Sequence, residues 1–582
     1  MQSDVVREQP GARRARRSLR PLAVPGIALG SCLLAVILFG VSARDDDYIT
    51  FWEAEQLAKS GHLVNINGAA IEQSSSLAHV VVLALLNFVT RVPIPVLSYL
   101  VGLAALAATV WLASRLAKSL HPAAELPAAL VVSVAFPLVF WATGGLETTL
   151  AAACMLWFVV RLLAVLDRPA LSARSVVPFV ASAVLVVAVR PDTMLVAVAV
   201  AAVALLAAAV RATRLRWATE LLPEVAVARS ALAVGITIGA AALLGAFRLV
   251  VFDSVLPQPE VAKAGGLAWL SVGYAYVATT LPWWLWAVLL VLFALGVAWS
   301  LATRSLPGLL AAATFAAGTV AIMFTRGDWM GGARLLAPYL APGLVVVVAG
   351  ARCLPRWWRR GVLVGIVALE CVVLVLFANG ATWLSSAYGN GYAPTLDSAA
   401  PAVFGSPFGA TVTSSAGQAP SLAWYTNWDF IHARDATFLA AATPALRSIL
   451  AADTAPGKVT IASYQAGMIM YTWQNEFPGR LRYIDMDNIV TNDLSKCPGT
   501  ATNSYTGQLI DLQQWWSFAG GCAPPLPDLV FFLGSPSGMS VVSSQYHVVR
   551  DVYMTYDQRR LLGHSRLLGE EEYLAVRNGW HP

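Results

Sequence analysis

The chain has 582 residues, of which 58% are hydrophobic and 12% charged, with a formal net charge of +6 and a mean hydropathy of +0.65. Soluble globular proteins carry roughly 25% charged residues, so this deficit excludes a soluble enzyme, a disordered chain and a coiled coil. Only five of the 39 basic residues are lysine, and in a membrane protein an arginine excess of this kind maps sidedness rather than a nucleic-acid surface.

Residues 1–21 form a basic tail (Arg7, Arg13, Arg14, Arg16, Arg17, Arg20) expected in the cytoplasm. A bilayer-spanning helix needs about 20 apolar residues. Runs of that kind lie near 22–42, 96–114, 123–142, 148–166, 176–190, 193–210, 230–251, 276–300, 306–325, 336–350 and 361–379. They predict an α-helical polytopic membrane domain over 22–379 with about eleven transmembrane helices. The first run ends in ARDDD with no small-residue cleavage site, so it reads as a retained helix and not a signal peptide. The run 77–90 is short and is followed by Arg91 and the prolines of VPIP, which suits a helix lying on the membrane surface. With 77–90 on the surface and the N-terminus inside, 20 basic residues before position 380 face the cytoplasm and eight face outward. Counting 77–90 as a span would invert that bias. The positive-inside rule therefore predicts a C-terminal region that emerges outside.

The outer segments are where the chemistry is expected. The first, 43–95, opens with Asp45, Asp46 and Asp47 at the outer end of a hydrophobic helix. A solvated helix end is the plain reading of such a triplet. However, like charges held together raise one another's pKa, so a cluster at this depth also suits a cation or a general base. The following YITFWEAEQLAKSG reads as a short amphipathic helix with Tyr48, Phe51 and Trp52 at interface depth. Four more polar clusters sit at helix ends: TGGLETT with Glu147, VRPD with Arg190 and Asp192, VFDSVLPQPEVAK with Asp253 and Lys263, and TRGDWMGGAR with Asp328 and Arg334. A proton- or ion-coupled transporter would place ionisable groups near the midplane. Here Glu370 is the clearest mid-helix charge, and a structural partner is expected for it.

A DDxYI pair after the first helix, a Glu and Ser cluster later in that loop, then GLE, RPD, an L-P…K loop and GDWM…R, in that order, resemble the GT-C class of membrane glycosyltransferases. More narrowly, the set is similar to the AftB-type arabinofuranosyltransferases, across most of residues 40–340. Asp45 and Asp46 match the paired acids and Asp47 fills a variable position. Glu72 and Ser76 match the loop's Glu and Ser, and His79 stands where relatives often carry a Trp. The resemblance implies an inverting transfer of a sugar, D-arabinofuranose as first choice, from a polyprenyl-phosphate donor to an extracytoplasmic glycan or protein. It also implies a bacterial inner membrane location and Asp45 and Asp46 as the catalytic acids. Glu72, Ser76, His79, Glu147, Arg190, Asp192, Lys263, Asp328 and Arg334 are implied substrate-binding residues. The leaving group is a phosphate, so it needs charge stabilisation, which Arg190, Lys263 and Arg334 are able to supply. No cofactor is implied, and a divalent cation held by the aspartates stays an open alternative. Adjacent residues point in different directions, so one aspartate is expected to be the base, with Asp46 favoured, and the other to hold a donor hydroxyl, a cation or the loop itself. A transporter, a lipid-linked glycan polymerase or ligase, and a purely structural cell-envelope assembly protein are the remaining alternatives.

Beyond 379 the composition changes. Residues 380–425 are rich in Ser, Ala, Gly and Pro and read as a linker or extended loop. Residues 426–582 read as a soluble extracytoplasmic α/β domain: a helix in DATFLAAATPALRSILAAD, then strands in KVTIAS, RLRYIDM and PDLVFFLG. Cys497 and Cys522 are the only cysteines of that domain, and an oxidising compartment favours their pairing as a disulfide. Its tryptophans, Trp473 among them, fit a carbohydrate-stacking surface or, more simply, a core. No HExxH, Walker loop, GxSxG or nucleic-acid module occurs in the sequence.

Overall fold

A computed structural model describes residues 10–40, 45–167, 172–263, 270–279, 283–325, 332–378, 410–414, 421–423, 427–453, 457–463, 467–485, 490–491, 527–534, 546–558, 566–578 and 580. Each apolar run named above carries helix. Among the described residues, six helices are long and apolar enough to cross a membrane: Leu22–Phe39, Ile94–Leu120, Thr148–Leu166, Pro191–Ala212, Val227–Phe252 and Leu306–Met323. The other runs yield shorter helical pieces. Residues 123–142 break into Glu125–Ser133 and Phe136–Trp141. Pro137 falls in the first turn of the second piece, where its missing N–H is not needed. The mid-helix Glu370 has the expected structural partner there, since it accepts the freed Phe136 N–H at 3.0 Å. The run 77–90 is the 14-residue helix Leu77–Thr90, too short to cross a bilayer unaided.

Burial separates the centre of the bundle from its rim. Thr148–Leu166 is 72% buried over its apolar window and packs on Ile94–Leu120, Ala173–Val189 and Ala337–Gly350. Val227–Phe252 is 11% buried and leaves Ile238, Leu243, Leu249 and Val250 exposed. A helix that exposes such a surface needs lipid around it.

The C-terminal region forms one mixed sheet. Its strands are β1 (Ala410–Ser414), β2 (Ser421–Ala423), β3 (Val459–Ser463), β4 (Leu481–Asp485), β5 (Leu529–Gly534), β6 (Tyr546–Gln558) and β7 (Arg566–Arg577), in the order β2-β1-β6-β7-β5-β3-β4. The pairs β3–β4 and β3–β5 are parallel, and the helix Met468–Glu476 makes the crossover between β3 and β4. The helix Asn427–Ala452 packs on the sheet through Phe438, which stacks on Phe531 with ring centroids 4.5 Å apart. Trp473 is fully buried in the same core and donates Nε1–H to Thr443 Oγ1, so it is no sugar platform. The 380–425 stretch, expected to be a linker, holds β1 and β2. Pairing of β1 with β6 supplies the hydrogen bonds that its own composition does not.

Candidate active site

The loop after the first long helix is folded against the bundle, on Ile94–Leu120. The helix Asp47–Ser60 starts on the last member of the acidic triplet, with Asp46 as its N-cap, and is closed by Gly61 in the left-handed region. The chain then wraps back around it. Glu53, fully buried, accepts backbone N–H bonds from Gln73 at 2.7 Å and Ser74 at 3.3 Å. Trp52 donates to Asn65 O, and Gln73 Nε2 to Ile49 O. Burial, then the neighbouring Glu72 charge, pushes the Glu53 carboxyl well above its ordinary value.

The three aspartates diverge, as adjacent positions at a helix start must. Asp45 turns its Oδ1 to the backbone N–H of Met468 in the C-terminal domain, at 2.7 Å. Asp46 keeps its side chain 28% exposed and places Oδ2 4.0 Å from Arg334 Nη1. Asp47, matched to a variable position in sequence, is fully buried instead. It lies against Gly145, whose φ of +82° and missing side chain make the room: a Cβ there would stand 2.3 Å from Asp47 Oδ2.

Gly145 leads into Glu147, and a buried charge network begins there. Arg190 Nη1 donates to Glu147 Oε1 at 2.7 Å and its Nε to Asp192 Oδ1 at 2.8 Å. Tyr339 OH donates to Asp192 Oδ2 at 2.9 Å. Burial alone would raise the Glu147 carboxyl. The Arg190 charge, with Arg334 and His79, outweighs it and holds the group below its ordinary value. Arg334 thus pairs with Asp46 while its charge is also felt at Glu147. His79 is buried beside the same network, and desolvation brings its pKa down to about 4 against the pull of Glu147. Its Nδ1 and the Ser76 Oγ, one helical turn apart, have no hydrogen-bond partner among the described residues.

Of the residues named from the sequence, Asp46, Arg334, Glu147, Arg190, Asp192 and His79 come together. Glu72 belongs elsewhere: it forms a buried two-point ion pair with Arg248, at 2.7 and 2.9 Å, on the helix Val227–Phe252. Its carbonyl also receives the N–H of Gln258, the first residue of the short helix Gln258–Lys263, and so ties the first loop to the one carrying Lys263. Asp328, Cys497 and Cys522 lie outside the described residues. Sequence reasoning missed Arg248, Glu53 and Tyr339. Arg248 had a signal of its own, being a cation within the long apolar stretch of a helix whose other charge, Arg229, sits in its first turn. Among the described residues no three His, Cys, Asp or Glu side chains converge as metal ligands.

No family model matches the chain, and no curated protein does. Among solved structures, it is similar to ArnT from Cupriavidus metallidurans in the apo state, with 14% identity, a TM-score of 0.49, and coverage of 96% of this chain and 98% of that one. The same protein bound to undecaprenyl phosphate gives 12% identity, a TM-score of 0.45 and coverage of 95% and 97%. The oligosaccharyltransferase AglB from Archaeoglobus fulgidus, in complex with an inhibitory peptide and a dolichol-phosphate, gives 10% identity, a TM-score of 0.47 and coverage of 88% and 69%. Likenesses this distant decide neither fold nor activity.

Proposed function

We propose that the chain is a GT-C-like membrane glycosyltransferase. It moves a sugar from a polyprenyl-phosphate donor to a hydroxyl of an extracytoplasmic glycan or protein, with inversion, and Asp46 is the general base. The observation that carries this reading is the pairing of a partly exposed carboxylate, Asp46, with a guanidinium, Arg334, whose charge also acts on Glu147 of the buried Glu147–Arg190–Asp192 network.

The reaction needs two opposite things within a few ångströms. The acceptor oxygen must lose a proton as it bonds to the anomeric carbon, and a carboxylate positioned there contributes about 10²–10⁴-fold. The bond from that carbon to the phosphate oxygen breaks on the opposite face, and the electron pair leaves with the phosphate. The phosphate needs no proton, only a fixed cation, and Arg334 fits that role. The Glu147–Arg190–Asp192–Tyr339 network holds its charges in place without solvent, so little reorganises during the reaction. Lys263, on the loop tethered to Glu72, is the second cation for the donor phosphate. The lipid tail of the donor stays in the bilayer, with the cytoplasmic tail inside and the C-terminal domain outside. The motif order similar to AftB-type enzymes makes D-arabinofuranose the first sugar to test.

The test is turnover by purified protein with a panel of polyprenyl-phosphate sugars, wild type against Asp46→Asn. Asparagine keeps the shape and removes the base, so kcat should fall by about 10²-fold or more with donor affinity little changed. Near-normal turnover by well-folded Asp46→Asn would move the base elsewhere, with Glu147 and Asp328 next in line.

A further inference from the structure

We infer that Asp45 is a positioning residue, the point at which the C-terminal domain grips the loop that carries Asp46. This rests on the reading of Asp46 as the base. Asp45 Oδ1 accepts the N–H of Met468, the first residue of the nine-residue helix Met468–Glu476, while its own carbonyl accepts Tyr48 N–H at 3.1 Å. The residue is therefore held by side chain and backbone at once, one position before Asp46. A carboxylate at a helix N-terminus meets unsatisfied N–H groups and the positive end of the helix dipole.

The approach is close enough to dictate the partner. A Cβ at Gly467 would stand 2.1 Å from Asp45 O and 2.2 Å from Oδ1. The first of these is a backbone atom, so no rotamer change relieves the clash.

Other contacts between the loop and this domain lie farther from Asp46. Tyr471 packs its ring on Tyr48 and Trp52 and donates its hydroxyl to Glu55. Asn67 exchanges two hydrogen bonds with the backbone of Tyr483 on β4, at 2.6 and 2.8 Å. These fix the loop as a whole, whereas Asp45 fixes the end that bears the base. Displacing a reacting group by about 1 Å is enough to cost on the order of 10²-fold in rate.

The experiment uses the full-length protein in detergent or lipid. It compares Asp45→Ala, Asp45→Asn, Gly467→Ala and the Asp45→Ala/Gly467→Ala double variant in donor kinetics and in amide hydrogen exchange at residues 467–471. Asp45→Ala and Gly467→Ala should each lower kcat by about 10–100-fold, leave donor KM little changed and speed exchange at those amides. Asparagine keeps an oxygen that accepts from Met468, so Asp45→Asn should recover most of the lost kcat and the exchange protection. The double variant should be no worse than Gly467→Ala alone, because both changes remove the same grip and the clash with the Asp45 carbonyl is already present in that single variant. Asp45→Asn as inactive as Asp46→Asn would overturn the inference, since the charge of Asp45 would then take part in the chemistry. So would Asp45→Ala with unchanged exchange at 467–471. The base assignment is read separately, from Asp46→Asn alone: a fully active Asp46→Asn with Asp45→Ala still loosening 467–471 removes the base and leaves the grip standing.

Discussion

The Glu72–Arg248 pair allows the sharpest test of the loop's anchoring. Both side chains are at most 3% exposed and meet through two charge-assisted hydrogen bonds, so solvent screens them little. Removing one partner of such a buried pair typically costs about 3–5 kcal/mol, whereas replacing both by apolar groups is often close to neutral. The two single variants should differ. In Glu72→Met the orphan is a guanidinium that stays charged, and the full cost applies. In Arg248→Met the orphan is Glu72, whose carboxyl burial already raises above its ordinary value even with Arg248 opposing. Without the arginine it climbs further and takes up a proton. A carboxyl with a raised folded pKa stabilises below its unfolded pKa, and that stability is lost as pH rises. Arg248→Met should therefore be milder than Glu72→Met and milder still at pH 5 than at pH 7.5. Glu72→Met/Arg248→Met should recover most of the loss, for a coupling of about 3 kcal/mol. Melting temperatures of purified protein at the two pH values give the ranking without requiring a two-state transition. A double variant melting at or below Glu72→Met, or an Arg248→Met defect independent of pH, would refute the reasoning.

Three further expectations can be measured directly. His79 is neutral when folded, with a pKa of about 4 against an ordinary 6.5, so its contribution is present above pH 6.5 and is lost as pH falls toward 4. Wild type should therefore lose up to about 3 kcal/mol across that window, a slope that His79→Gln should lack; equal acid slopes in the two proteins would count against it. Cysteines placed within 410–420 should be labelled from outside intact cells and cysteines within 356–360 only from inside; labelling of 410–420 only after permeabilisation would invert the topology and displace the site with it. Cys497 and Cys522 should be joined by a disulfide that contributes about 3 kcal/mol, and two free thiols in non-reduced protein, seen by mass spectrometry, would contradict this.

The elements that hydropathy and capping control were readable in the chain. The helices Thr148–Leu166 and Leu77–Thr90 and the strands β3, β4 and β5 fall where periodicity and composition put them. β6 and β7 were not readable. β7 carries Glu570, Glu571 and Glu572 in succession, which breaks the alternation of a half-buried strand, and only its pairing with β5 and β6 makes it one. In the site, residue type and helix-end position drew attention to the Asp45–Asp47 triplet, Glu147, Arg190, Asp192 and Arg334, while the choice of Asp45 and Asp46 as the catalytic acids came from the resemblance. The partners of Glu72 and Asp45 lie 176 and 423 residues away, and no local pattern encodes a contact at that separation. The divergence of Asp45 and Asp46 was foreseeable from their adjacency, but where each points depends on the domain that closes over them.

The 423 residues between Asp45 and Met468 also set a clock. The loop bearing Asp45 is made first, and the helix that holds it leaves the ribosome 423 residues later. At synthesis rates of roughly 5–20 residues per second, the loop waits roughly 20–85 s for that contact. Throughout that interval the membrane holds a nascent chain whose acidic triplet is in place but whose Asp45 is ungripped. The Asp45–Met468 contact therefore forms only once residue 468 is made, and a translation product abandoned before that point lacks it altogether.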